Sequence, residues 1–252
     1  MTASERLLGR LDAIARSVAA EGDALALLGL GSVGLETGRI DEWSDLDFFV
    51  VVEPGHKARY LDRLDWLARA HPLAWHFRNT GDGHKALMED GLFCEFAVFE
   101  PAELAHIPFA PGRVVWRRAD ADPALATPRK ALPRPTTDET WIVGEAIASL
   151  LVGLGRWHRG EKLSAMRFVQ GHALDRLIEL DALRRRAAGG DPFDGTRRLE
   201  MRQPALAAEL TRLAPGYDHT PAAAAALLDA FAARGAQLNA AALARIRTLI
   251  GD

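Results

Sequence analysis

Between Ala119 and Pro135 the chain carries Pro123, Pro128, Pro133 and Pro135 among polar residues, and this stretch divides two regions of different pattern. Proline removes a backbone donor and fixes φ, so regular structure is not expected there. Upstream, short apolar runs end at glycine or proline. Ala24 to Leu30 and Leu46 to Glu53 are rich in residues that favour strands. "LAWHFRN", "HKALME" and "LFCEFAVF" predict three more strands, separated by Gly81 to Gly83 and Asp90-Gly91, and Gly112 to Arg118 predicts an edge strand. Leu7, Leu8, Leu11, Ile14 and Val18 recur at helical spacing, and His56 to Ala70 predicts a second helix.

Downstream almost everything has helical periodicity: Asp138 to Trp157, Lys162 to Ala187, Thr196 to Leu213, Pro221 to Arg234 and Leu238 to Ile250. Thr136 and Glu139 have the spacing of a capping box. The expected class is α+β: a mixed β-sheet domain with flanking helices over 1–118, a linker or wrapping connection over 119–136, and a helical bundle over 137–252.

The chain's 252 residues, 48% of them apolar, supply core enough for both parts. With 31 Lys and Arg against 34 Asp and Glu, no broad basic field exists to hold nucleic acid in general. Cys94, the single cysteine, excludes an intramolecular disulfide and points to a reducing cytoplasm, with the thiol filling core. The first residues read as an amphipathic helix rather than a signal peptide. The run Trp141 to Gly155 contains Glu145 and is too short to span a bilayer, so no membrane role is expected.

The chemistry-bearing stretch is "LGLGSVGLETGRIDEWSDLDFFVVVE", Leu28 to Glu53. Asp45 and Asp47 lie two apart and project to one side at the start of an apolar strand, where two like charges repel. A divalent cation turns that repulsion into binding, because Mg²⁺ takes one or two carboxylates together with phosphate oxygens and water. Glu95 is the third candidate acid, set alone into "LFCEFAVF" on the face of Phe93 and Ala97 and opposite Cys94 and Phe96. Gly31 and Ser32 offer close backbone approach and a hydroxyl to a phosphate. Asp41 and Glu42 read as solvated loop charges, and Glu100 and Glu103 as a strand end and helix cap.

A strand ending in Gly-Ser, an Asp-x-Asp strand and a third acid on a neighbouring strand resemble the DNA polymerase beta-like nucleotidyltransferase superfamily. The sheet domain followed by a bundle looks like its antibiotic-modifying members, the lincosamide and aminoglycoside adenylyltransferases. The resemblance implies that Gly31 and Ser32 bind phosphate, that Asp45, Asp47 and Glu95 hold two Mg²⁺ ions, and that AMP passes from ATP, or another nucleoside monophosphate from its triphosphate, to a hydroxyl of a small molecule. Glu95 is either a metal ligand or a general base. Two departures stand out: Asp45 follows Ser32 at a long spacing, and no basic residue follows Gly-Ser directly, so Arg39 takes that part.

In the bundle, Glu145, His158, Glu161 and Lys162 are the candidate contacts to acceptor or phosphate, Lys162 being assigned to the nucleotide. Trp141, Trp157 and Phe168 read as core. No acidic cluster is apparent there, which tilts the acceptor toward a lincosamide-like molecule and away from a polycation. Relatives of this build are often dimers. Two other readings compete. Arg167 to His172 matches the Arg-x4-His pattern of HEPN ribonucleases, implying a regulatory protein of toxin-antitoxin type that acts on protein or RNA. The other is a degenerate fold that binds nucleotide without chemistry.

Overall fold

The computed structural model describes residues 2–132, 135–185, 191 and 193–251. It is an α+β protein made of two compact units, Met1–Leu132 and Pro133–Asp252.

The first unit opens with helix α1 (Ala3–Ala19), where Thr2 and Glu5 satisfy each other's backbone amides in a capping box. Strands β1 (Ala24–Gly29) and β2 (Leu46–Val52) follow, then short helices α2 (Lys57–Asp62) and α3 (Asp65–Ala68). Strands β3 (Leu73–Arg78), β4 (Gly83–Met88) and β5 (Phe93–Phe99), helix α4 (Pro101–Leu104) and strand β6 (Arg113–Arg117) complete it. The sheet order is β3-β4-β5-β2-β1-β6. Every pairing is antiparallel except β2 with β5, which makes the sheet mixed.

One face of the sheet is packed by the helices. Leu7, Leu11, Ile14 and Val18 of α1 join Leu46, Phe48 and Val50 of β2 and Cys94, Phe96 and Val98 of β5. Phe48 stacks on Phe96 at 5.2 Å between centroids, and Trp66 meets both rings edge-on. Cys94 is buried here and burial pushes its thiol up to about 12, as expected of a core cysteine. The other face is covered only toward one end. There Leu28, Phe49, Val51 and Phe99 pack with Leu104, Phe109, Ala121, Leu125 and Ala126. The proline-rich stretch thus begins as a wrapping connection, with a 3₁₀ turn at Pro123–Ala126 pressed onto the sheet.

The helix expected over His56 to Ala70 is broken at Arg63, which is extended at φ −135° and ψ 116°. Tyr60, Leu61, Leu64 and Leu67 form one helical stripe, but Trp66 lies well off it. The break resets the phase and lets Trp66 bury as well, its indole donating to the Tyr60 carbonyl at 3.1 Å.

His84 is buried against Phe96, and its Nε2 lies 2.8 Å from the Leu61 carbonyl. That contact requires Nε2–H to donate. Burial lowers the pKa of His84 below its ordinary 6.5. The folded state therefore binds fewer protons than the unfolded chain, and stability is complete above the unfolded value and declines as pH falls through it. Melting curves at pH 7.5 and 5.5 should show a larger loss at the acid end for the native protein than for His84→Gln. An equal loss would remove His84 as the cause.

The second unit holds α5 (Glu139–His158), α6 (Lys162–Met166), α7 (Leu174–Arg185), α8 (Leu199–Arg202), α9 (Pro204–Ala207), α10 (Leu210–Leu213), α11 (Thr220–Ala233) and α12 (Ala240–Ile250). Its core joins Ile142, Leu150 and Leu154 of α5 to Val169, Leu177 and Leu180, and to Leu227 and Phe231 of α11. Asp138, rather than Thr136, caps α5: its Oδ1 accepts from Trp141 N at 3.1 Å, while the Thr136 hydroxyl accepts from Asp138 N. Between α6 and α7 the helix widens into a π turn, Arg167–Ala173. Gly153 of α5 lies against it, where an added Cβ would stand 2.7 Å from Val169 Cγ2. Of the helix expected over Lys162 to Ala187, residues 186–187 lie outside the described residues. The helix expected over Thr196 to Leu213 is three short ones. Gln203 leaves helical geometry because it precedes Pro204, whose ring disfavours the α conformation before it. Among the described residues no helix is long and apolar enough to cross a membrane.

Candidate active site

Asp47 lies one residue into β2 and Asp45 just before it. Both are half-buried, and Asp47, alternating with the buried Leu46 and Phe48, takes the sheet face that the helices leave free. The parallel register sets Asp47 directly beside Glu95 of β5. Residues paired across strands share a face, so the two carboxylates stand about 4.8 Å apart at their backbones. Along β5, Phe93, Glu95 and Ala97 alternate with the buried Cys94, Phe96 and Val98. The side expected for Glu95 is the side it takes.

The Gly-Ser turn reaches the same place. After β1, Leu30 N donates to the Asp47 carbonyl at 2.8 Å, and Gly31–Val33 form a 3₁₀ turn. Gly31 has φ +51°, and a Cβ there would sit 3.2 Å from Asp47 Oδ2. A side chain at this position would be strained by the backbone and pressed against the carboxylate. The opening amides of a helical turn have no partner inside it, so the turn at Gly31 and Ser32 brings N–H donors alongside Asp47.

The loop leading to Asp45 is ordered by Asp41. Its Oδ1 accepts from Trp43 N at 3.0 Å and from the Ser44 hydroxyl at 2.9 Å. Asp41 is therefore more than a solvated loop charge: it builds an Asx turn. Arg39 is engaged by Glu36, although its Nε is buried without a partner among the described residues.

Glu95 is held by two groups of the β3–β4 hairpin. Lys85 Nζ of β4 lies 3.1 Å from its Oε2, and Asn79 Nδ2 donates to its Oε1 at 3.4 Å. Neither partner was expected from the sequence. Among the described residues no three His, Cys, Asp or Glu side chains form a ready-made metal cage. The donor set nevertheless suits Mg²⁺, which prefers carboxylate oxygens and completes its octahedron with phosphate oxygens and water rather than with an all-protein shell. Asp45 and Asp47 are the residues that would hold it, with Glu95 adjacent once its ion pair with Lys85 opens.

No protein-family model matches the chain, and no curated protein matches it in sequence. Among solved structures, an aminoglycoside 6-adenyltransferase from Bacillus subtilis is similar over 100% of this chain and 92% of its own, at 12% identity and a TM-score of 0.37. A nucleotidyltransferase-like protein from Exiguobacterium sibiricum 255-15 is similar over 95% of this chain and 78% of its own, at 12% identity and a TM-score of 0.38.

The remaining candidates belong to the second unit. Lys162 borders a cavity of about 390 Å³ together with Ser164, Arg167 and Tyr217. Its ammonium pairs with Asp218 at 3.1 Å and lies over the rings of Trp157 and Tyr217. Glu161 pairs with Arg159, His158 Nε2 lies 2.7 Å from the Leu249 carbonyl, and Glu145 is exposed. Trp141 is not core: it is exposed, with the Arg176 guanidinium over its ring at 5.2 Å. Trp157 and Phe168 are half-buried. The bundle carries a pair of neighbouring acids, of which Glu179 is paired with Arg176 at 2.7 Å. Asp175 and Glu179 stand one turn apart on α7, and burial raises the pKa of each. Their i, i+4 spacing was the available signal.

Proposed function

We propose that this chain is a nucleotidyltransferase that moves a nucleoside monophosphate, AMP from ATP, to a hydroxyl of a small molecule, with pyrophosphate leaving. The observation that carries the reading is the meeting of Asp47, Glu95 and the Gly31 turn on one open face of the sheet. Two acids joined across parallel strands, beside the amides of a 3₁₀ turn, suit a cation and a phosphate in contact.

In this reading Gly31 and Ser32 donate to the β and γ phosphates, and Asp45 and Asp47 hold the cation that accompanies them. When bound, that cation neutralises charge growing at the α-phosphate. Glu95, oriented by Lys85 and Asn79, takes the proton from the acceptor hydroxyl as its oxygen attacks phosphorus and the bond to pyrophosphate breaks. Incubation with ATP, Mg²⁺ and a panel of hydroxyl compounds, lincosamides and aminoglycosides included, should yield a product heavier by one AMP in mass spectrometry. Pyrophosphate release without a modified acceptor, or none at all, would count against the reading.

A second reading has one observation in its favour. The π turn covers Arg167 to His172, and π turns concentrate at functional sites. Its wider spiral also brings residues five apart closer to one face than an α-helix does. This reading predicts RNA cleavage that disappears in His172→Ala; an unchanged RNA substrate would remove it.

A further inference from the structure

The register of the first unit lines up a row of side chains running from the acids to the sheet edge. Phe77 of β3 pairs with Lys85 of β4, Lys85 with Glu95 of β5, and Glu95 with Asp47 of β2. Each step is about 4.8 Å, so the row covers roughly 14 Å. One position further along the same face lies a second row, in which Trp75 pairs with Leu87 and Leu87 with Phe93. Phe93 is two residues before Glu95, and Trp75 two before Phe77. Together they form an apolar shelf bordered on one side by carboxylates.

The shelf is open. Trp75 is 49% exposed and Phe77 44%, their rings 5.0 Å apart; on the opposite sheet face His84 and Ala86 of β4 are buried, while the edge strand β3 also exposes Ala74, His76 and Arg78. Large exposed aromatic surface on a regular strand is uncommon unless something rests on it. Its position selects the occupant. The Gly31 turn lies on the β1 side of Asp47, and the shelf lies on the β5 to β3 side. In an in-line displacement the attacking oxygen and the leaving pyrophosphate stand on opposite sides of the phosphorus. With pyrophosphate at Gly31 and Ser32, the attacking hydroxyl comes from the shelf side, past Glu95.

We infer that Trp75, Phe77, Leu87 and Phe93 form the acceptor subsite, and that the acceptor is a hydroxyl compound carrying an apolar or aromatic ring roughly 5–14 Å from the reacting oxygen. The ring lies on Trp75 and Phe77, and the hydroxyl reaches Glu95 beside Lys85. This assignment rests on the nucleotidyltransferase reading and goes further by giving the acceptor a shape.

The test uses full-length protein labelled with 5-fluorotryptophan, its Trp75 resonance assigned from Trp75→Phe. Mg²⁺ and the non-hydrolysable α,β-methylene ATP are added first, then 2-naphthyl β-D-glucoside, with methyl β-D-glucoside as the ring-free control. The nucleotide should bind and leave the Trp75 resonance in place. The naphthyl compound should move it saturably and the methyl compound should not. Phe77→Ser, on an exposed edge strand, should weaken the naphthyl compound about fivefold and keep nucleotide affinity within about twofold. Nucleotide binding with no response to the naphthyl compound, or an equal response to both glucosides, overturns the subsite alone. A shift caused by nucleotide alone gives the shelf to the base, and a Trp75 signal that follows protein concentration gives it to a second copy of the chain. Failure of the nucleotide to bind at all takes down the functional reading itself.

Discussion

Asp47→Asn is expected to reduce AMP transfer on the order of 10³-fold while leaving the melting temperature nearly unchanged. The substitution keeps the shape of the side chain and the backbone bond from Leu30 N to the Asp47 carbonyl. What it removes is one of two negative charges at the start of β2. Glu95→Gln should act comparably, with a stability cost below about 1 kcal/mol because its ion pair with Lys85 is solvent-accessible. Initial rates and thermal melts of both variants check this. Substantial Mg²⁺-dependent turnover in Asp47→Asn would show that the chemistry is placed elsewhere.

The largest effect on stability should come from Asp181→Ala, in the second unit. Asp181 is 4% exposed and lies between Arg234, at 2.8 Å, and Arg185, at 2.6 Å, while Arg234 also reaches Glu209 at 2.9 Å. Removing the carboxylate leaves a mostly buried guanidinium with Glu209 and the Ala230 carbonyl but without one of its two carboxylates, and a loss of about 3–5 kcal/mol is expected. Helical signal at 222 nm, followed against urea, measures it. Asp181→Leu combined with Arg234→Met should lose less than the sum of the single variants, since the pair is then replaced by apolar volume. Strict additivity would show that the two charges do not depend on each other.

Much of this arrangement was legible in the sequence, and the reasons differ by element. Apolar runs bounded by Gly or Pro on at least one side marked every strand, and alternation in "LFCEFAVF" placed Glu95 on the open face. The hairpin partners were also available. A turn centred on Gly81 pairs Phe77 with Lys85, and one centred on Asp90 pairs Lys85 with Glu95. The row across the sheet could have been written down from those two turns. Joining β2 to β5 in parallel was not available, because nothing local specifies the register of strands separated by a long crossover. The break at Arg63 was hidden because Tyr60, Leu61, Leu64 and Leu67 satisfy a helical stripe without Trp66. Pro204, by contrast, was plainly visible and its effect on Gln203 follows from sterics alone. Trp141 was misplaced because aromatic residues at helical spacing read as core, whereas its ring serves as a surface for Arg176.

The single parallel pairing has a bearing on how such a chain acquires activity. Everything between Val52 and Phe93, two short helices and a hairpin, must find its place before β5 can lie against β2. Local hairpins form early in folding and long-range pairings late. A nascent or partly unravelled chain can thus hold both halves of its sheet and still keep Asp47 and Glu95 far apart, so the candidate site comes together only with the last seam.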